Sequence, residues 1–148
     1  MTAERLPHCE FFTDKLIMRL ELNLSADVEE ISPAIGRVMK LVGELKCGEG
    51  KEFEIETALR EAIANAIIHG ARLDREKKIQ LCVACDESRG ILIIVRDPGP
   101  GFSPDSIPSP VIGRNIYSTH GRGIFLINQL MDEVRFERGG TQIYMRKR

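Results

Sequence analysis

No run of apolar residues in this chain reaches the length needed to cross a bilayer, and the N-terminal MTAERLPHCE lacks the hydrophobic core of a signal peptide. A cytoplasmic location without membrane attachment is the expectation that follows. The sequence also lacks the positive excess on which nonspecific nucleic-acid binding depends. Its net charge is -1, and the basic tail Arg146-Lys147-Arg148 is too short to reverse that. There is no internal repeat and no domain linker. Cysteines number four, and Cys82 and Cys85 have a C-x-x-C spacing. They sit in KIQLCVACDES, however, which reads as a strand, where residues three apart point to opposite faces and do not converge on one ion. Zinc or redox chemistry is not expected there; buried free thiols in a reducing compartment are.

What is present suits one compact domain spanning 1–148: hydrophobic residues make up 43% and charged residues 29%, enough for a substantial core under a soluble surface. After a loosely attached lead-in over 1–15, KLIMRLELNL (Lys15–Leu24) alternates as a half-buried strand. Ile17, Arg19 and Glu21 fall on one face, with Leu16, Met18, Leu20 and Leu22 on the other. Ser25 and Asp27 offer caps to a helix that carries Pro33 in its early turns. Its apolar side is Ile35, Val38, Met39, Val42 and Leu45, and it stops at Cys47-Gly48-Glu49-Gly50. A second helix runs from Glu52 to His69 and ends at Gly70. Lys78–Asp86 and Gly90–Asp97 form a hairpin around a tight ESRG turn, with apolar runs that suit central strands covered by helices.

Beyond Asp97 the character changes. Five of the seven prolines lie between Pro98 and Pro110, and no periodicity is sustained up to His120; an irregular loop of that length in a compact domain is usually a lid or binding loop. Gly121-Arg122-Gly123 then opens a third helix, IFLINQLMDEV, and a second hairpin pairs Glu133–Glu137 with Thr141–Arg146 around Gly139-Gly140. The pattern is α+β, with helices and mostly antiparallel strands in two layers.

Three places carry candidate chemistry. On the second helix, Ile55, Leu59, Ala62, Ile63, Ala66 and Ile67 make the apolar stripe, and beside it lie Glu61, Asn65 and His69, four residues apart. Each such step is about 400° of helix turn, so the three side chains stack with roughly 40° of drift. A carboxylate can take a proton and a carboxamide oxygen can hold a hard cation; a solvated polar edge gives the same pattern. DPGPGF (Asp97–Phe102) ends an apolar strand with an acid that can accept from an amino group, while Gly99 and Gly101 allow close approach of a flat ligand. A simple Pro-Gly turn reads the same way. Gly121-Arg122-Gly123 before a helix N-terminus suits phosphate, or is an ordinary hinge. Thr141 reaches a ligand or merely begins a strand.

The order of these elements is E-x-x-x-N-A-x-x-H-G, D-x-G-x-G, a proline-rich loop, G-x-G opening a helix, and G-G-T. In that order, from about Glu52 to the C-terminus, the sequence resembles the histidine-kinase-like (GHKL) ATPase superfamily. NAIIHG and GRGIFLINQLMDEV resemble its stand-alone branch of anti-sigma-factor serine kinases, the RsbW-like proteins. The resemblance implies a two-layer α/β sandwich of the Bergerat type, a mixed, mostly antiparallel sheet with helices on one face. It implies ATP and Mg²⁺ as cofactors. By the same resemblance Asn65 matches the magnesium ligand and Glu61 the catalytic base. Asp97 matches the acid that recognises the adenine amino group, helped by Gly99, Gly101 and Thr141. Gly121, Arg122 and Gly123 match the phosphate-facing turn, and Ser103–His120 the nucleotide lid, with His120 at its edge either touching phosphate or solvated. His69 is expected to pack or bond locally, a direct site role coming second.

Phe125 stands where many superfamily members have a third glycine, which favours the stand-alone branch. Only His8 precedes the catalytic helix, so no phosphoacceptor-histidine helix is expected, nor is there room for the transducer domain of the gyrase and chaperone branches. The implied activity is ATP-dependent phosphorylation of a serine on a STAS-type antagonist by a protein that also binds a sigma factor, with homodimerisation suggested by the family alone. The alternative is a nucleotide-sensing binding module that sequesters a regulatory partner without significant phosphotransfer.

Overall fold

The computed structural model describes residues 15–100 and 119–148. Five strands form one sheet: β1 (Leu16–Ser25), β2 (Lys78–Asp86), β3 (Gly90–Arg96), β4 (Glu133–Glu137) and β5 (Gln142–Lys147). Their order is β1-β2-β3-β5-β4, and each neighbouring pair is antiparallel. The helices are α1 (Ile31–Leu45), α2 (Glu52–Asn65), continued by a π-helical turn over Ala66–Gly70, and α3 (Thr119–Leu130). This is the expected α+β arrangement of helices on one face of an antiparallel sheet.

Alternation decides which side chains face the helices. From β2 and β3 these are Ile79, Leu81, Val83 and Cys85 with Ile91, Ile93 and Val95, and they pack against Val38 and Val42 of α1 and Ile55, Leu59 and Ile63 of α2 in one continuous core. The intervening residues Cys82, Ala84, Leu92 and Ile94 are also buried, in a second cluster with Tyr144. Burial on both faces explains why Ile91–Val95 is an unbroken apolar run rather than an alternating one. Tyr144 is held from two sides: the Arg135 guanidinium lies 4.2 Å from its ring centroid, and Arg89 Nη2 donates to its hydroxyl at 3.1 Å. The hairpin turn between β2 and β3 is organised by buried Asp86, whose Oδ1 accepts from the Ser88 and Arg89 amides, each at 2.8 Å.

Two helix boundaries and the exposure of Leu45 differ from the sequence reading, while Pro33 falls in the early turns as expected. Asp27 caps a short 3₁₀ turn (Val28–Glu30) ahead of α1, accepting from Glu29 N at 3.0 Å, and Pro33 falls in the first turn of α1 itself. Leu45, expected on the apolar side of α1, is 39% exposed, because the helix ends there in a left-handed residue, Lys46 (φ 55°). α3 begins at Thr119 and ends at Leu130, so Gly121–Gly123 lie inside its first turns and the run from Glu133 joins the sheet. The expected lid Ser103–His120 lies outside the described residues except for Thr119 and His120, which open α3.

The expectation of buried free thiols is overturned. Cys47 and Cys85 are joined by a disulfide, Cys82 is disulfide-bonded as well, and no described cysteine is free. The end of α1 explains how Cys47 comes to lie there. Lys46 N donates to Gly43 O and Cys47 N to Val42 O at 3.0 Å, the paired bonds of a Schellman turn, which swings Cys47 inward to 5% exposure against the end of β2. Cys82 and Cys85 do face opposite sides of the sheet, as three-residue spacing on a strand requires. Cross-linking positions 38 apart in sequence removes loop entropy from the unfolded chain worth about 4 kcal/mol. Substituting Cys47→Ser and Cys85→Ser together is therefore expected to lower the unfolding free energy by about 3–4 kcal/mol under oxidising conditions. Denaturant titration with and without reductant checks this; identical midpoints would mean that the two sulfurs are not bonded in solution.

Candidate functional site

Five elements converge on a cavity of about 240 Å³: the C-terminal half of α2, the end of β3, α3 at Ile124, β4 at Phe136, and the start of β5. Its apolar wall comes from Ala62, Ala66, Val95, Ile124, Phe136 and Ile143, and its polar groups from Asn65, His69, Arg72, Asp97 and Thr141. This is a little below the usual volume of a complete small-molecule site and suits a flat heterocycle with part of what it carries.

Asp97 stands just past the last residue of β3. Its amide donates to Thr141 O at 2.9 Å, extending the β3–β5 ladder by one bond and fixing the two residues side by side. Its Oδ1 accepts from Gly99 N at 2.8 Å. Burial pushes the Asp97 carboxyl above the usual carboxylate range, an effect the Gly99 N–H partly offsets. Among the described residues it forms no ion pair, and Arg96, next along the strand, points to the other face and donates to Gln142 Oε1 at 2.6 Å. The second Asp97 oxygen makes no hydrogen bond among the described residues, so it is left to accept from whatever enters. Thr141 Oγ1 donates to Arg138 O at 2.8 Å, so its proton is committed and its lone pairs remain.

Glycines set the closeness of the walls. A methyl group on Gly70 would overlap the Asp97 carboxylate, and one on Gly99 would overlap Gly70 O. On α3, a methyl group at Gly123 would stand 2.9 Å from Glu61 Oε2 and 3.2 Å from Asn65 Nδ2. The expected face of α2 is therefore real for Glu61 and Asn65, both half-buried and both turned toward α3. His69 departs from that line. After Asn65 the chain widens into the π turn, closed by Ala71 N to Ala66 O at 2.8 Å, and a wider turn carries His69 less far around the axis than an α-helix would. His69 is exposed and lines the cavity.

Of the other expected positions, Gly101 lies outside the described residues. His120, Gly121 and Arg122 lie in the first turns of α3, where backbone N–H groups have no partner within the helix. Sequence reasoning missed Arg72 and Phe136. Phe136 carried no signal that separates a cavity wall from ordinary core, and Arg72 follows the motif without belonging to it. No cluster of three or more His, Cys, Asp or Glu side chains able to hold a metal exists among the described residues. Asn65 beside Glu61 offers few hard oxygen donors, which fits a cation such as Mg²⁺ that keeps most of its water and takes the rest of its shell from a phosphate ligand.

Residues 24–147 match the family model described as the histidine kinase-like ATPase domain. The chain is 28% identical over 139 residues to the anti-sigma F factor of Priestia megaterium, covering 87% of this chain and 91% of that one. It is 29% identical over 137 residues to the anti-sigma F factor of Bacillus cereus, covering 88% and 93%. Among solved structures, the RsbU and RsbW domains of Rv1364c from Mycobacterium tuberculosis superpose with a TM-score of 0.64 at 19% identity, over 88% of this chain and 32% of that longer one. That identity speaks to the fold alone. The family match spans strands β2 to β5, α2 with Glu61 and Asn65, and the strand end with Asp97, and by it this chain belongs to the histidine kinase-like ATPase family.

Proposed function

We propose that this chain is an ATP-dependent protein-serine kinase and anti-sigma factor of a partner-switching system, a single ATP-binding domain that phosphorylates a serine on a STAS-type antagonist. The observation that carries the reading is a cavity lined by both the Asn65 carboxamide and the Asp97 acid, with the Glu61 carboxylate beside Asn65 where α3 approaches α2 at Gly123. The names of the Priestia and Bacillus relatives, anti-sigma F factors, support the regulatory half of it.

In this reading Asp97 accepts from the adenine amino group, with Gly99 and Thr141 holding the base edge close. Asn65 contributes its side-chain oxygen to Mg²⁺, which when bound neutralises the phosphate charge. Glu61, one turn earlier on the same helix, takes the proton from an incoming serine hydroxyl. The serine Oγ–P bond forms as the bond from the γ-phosphorus to the bridging oxygen breaks, giving phosphoserine and ADP, with the proton on Glu61. Phosphoryl transfer needs positioning and charge neutralisation more than many reactive groups, so this short set suffices. The free amides opening α3, those of Gly121 and Arg122 among them, face the phosphates in this reading. The compartment proposed is the cytoplasm, where ATP and a sigma factor are met; no helix among the described residues is long and apolar enough to cross a membrane. Disulfides are rare there. Cys47 and Cys85 are 5% and 3% exposed, so reductant reaches their bond only when the fold opens.

Thermal unfolding with ATP and ADP, each with and without Mg²⁺, tests the site itself. At a hundredfold excess over the dissociation constant, a Mg²⁺-dependent rise on the order of 5–10 °C is expected; no shift with any nucleotide would end the ATP reading. Glu61→Gln should cut phosphotransfer to the antagonist by roughly 100-fold or more while nucleotide affinity holds. Unchanged transfer would remove Glu61 as the base, and no transfer even by the native chain would leave the binding module. Asp97→Asn separates binding from stability. The fold holds the Asp97 proton more tightly than the unfolded chain does, so the stability this group adds is present below about pH 4 and lost as pH rises through the raised value. At pH 7 the asparagine variant, whose oxygen can still accept from Gly99 N, should melt at or above the native temperature. Its ATP affinity should fall roughly 10- to 100-fold; normal affinity with a lower melting temperature would make Asp97 structural.

A further inference from the structure

One cation in the cavity wall has no place in the roles above. Arg72 lines the cavity two residues beyond Gly70, and its side chain makes no hydrogen bond or ion pair with any described residue. Its neighbour Arg75 is spoken for, with Nε 3.0 Å from Asp27 Oδ2. The backbone at Arg72 is unusual too. Arg72 (φ 54°) and Leu73 (φ 60°) are consecutive non-glycine residues in the left-handed region, a conformation that L side chains resist. Packing does not compensate for it, because Leu73 is 53% exposed.

The strained pair is nevertheless pinned. Leu73 N donates to Ile67 O at 2.9 Å, Asp74 N to Ala71 O at 3.1 Å, and Glu76 N to Asp74 Oδ1 at 3.0 Å. These bonds and the π turn before them fix one path for the chain, and that path takes Arg72 along the cavity. Backbone strain held in place beside a candidate site is the kind that serves a ligand.

We propose that Arg72 is a specificity-determining contact of this site, its guanidinium lying over the base end of the bound nucleotide. This rests on the nucleotide reading above. Position chooses the base end. Gly70 packs on the Asp97 carboxylate and Arg72 follows it by two residues, whereas Glu61 and Asn65, on earlier turns of α2, meet Gly123. Asp97 reads the in-plane edge of the purine and leaves a ring face for a partner. A planar, weakly hydrated guanidinium stacks on such a face, which an ammonium does less well.

The test is calorimetric titration of the native chain, Arg72→Ala and Arg72→Gly with adenosine, ADP and Mg-ATP. Both variants should bind all three ligands more weakly by a similar factor, roughly three- to tenfold. Arg72→Gly, freed of the left-handed strain, should at the same time melt higher than the native chain, so loss of binding cannot be put down to loss of fold. A loss absent with adenosine, growing with phosphate number and screened by salt would make Arg72 a phosphate cation and overturn the proposal. Native affinity in both variants would overturn it as well. If the native chain binds none of the three, the nucleotide reading falls and takes this one with it.

Discussion

At Gly123 a methyl group would press on the Glu61 carboxylate and the Asn65 amide, at 2.9 and 3.2 Å. At Gly70 against Asp97 and at Gly99 against the Gly70 carbonyl there is no room for one at all. Everything in the candidate site depends on these three approaches. They bring α3 onto α2 and bring the turn after α2 onto the end of β3, so groups far apart in the chain share one cavity. A side chain at Gly70 or Gly99 would separate walls whose spacing gives the site its shape, and the core beneath, filled to near zero exposure, could not shift to absorb it.

The acid at the centre is kept at a disadvantage. Asp97 is half-buried with a single backbone donor, and the nearest arginine in sequence is turned to the opposite face by strand alternation. A paired carboxylate would stabilise the fold more and a ligand less. The left-handed pair at Arg72 and Leu73 is a second local disadvantage on the same rim. Both sit on a scaffold held by a core packed from both sides of the central strands and by a disulfide between the end of α1 and the end of β2.

The disulfide also bears on how the site is held. Cys47 lies in the loop that feeds α2, and Gly48 (φ 74°) comes so close to Ile55 in the first turn of that helix that a side chain there would collide with it. The start of α2 is thereby fixed to the sheet through covalent and steric contacts, while its far end widens into the π turn that bears His69. The helix carrying the proposed base is anchored at one end and adjusted at the other.

Local chemistry was enough to settle much of this from the sequence. Helical and period-two patterning placed the three described helices and β1, where burial of one face writes itself into the spacing of apolar residues, while unbroken apolar runs around a tight turn placed β2 and β3. The motif order singled out Glu61, Asn65 and Asp97 as candidates, and the fold brings Asn65 and Asp97 to one cavity with Glu61 beside Asn65. Other features depended on residues distant in the chain. The Cys47–Cys85 bond joins positions that come together only when the loop folds over the core. The start of α3 at Thr119 and the π turn after Asn65 are hydrogen-bond choices that propensity does not distinguish from their neighbours. Arg72 reads in the sequence as one more charge in a polar loop. Only the packing of Gly70 against Asp97 and the left-handed turn that follows bring it to the cavity, because a side chain's surroundings are set by the path of the whole chain and not by its neighbours in sequence.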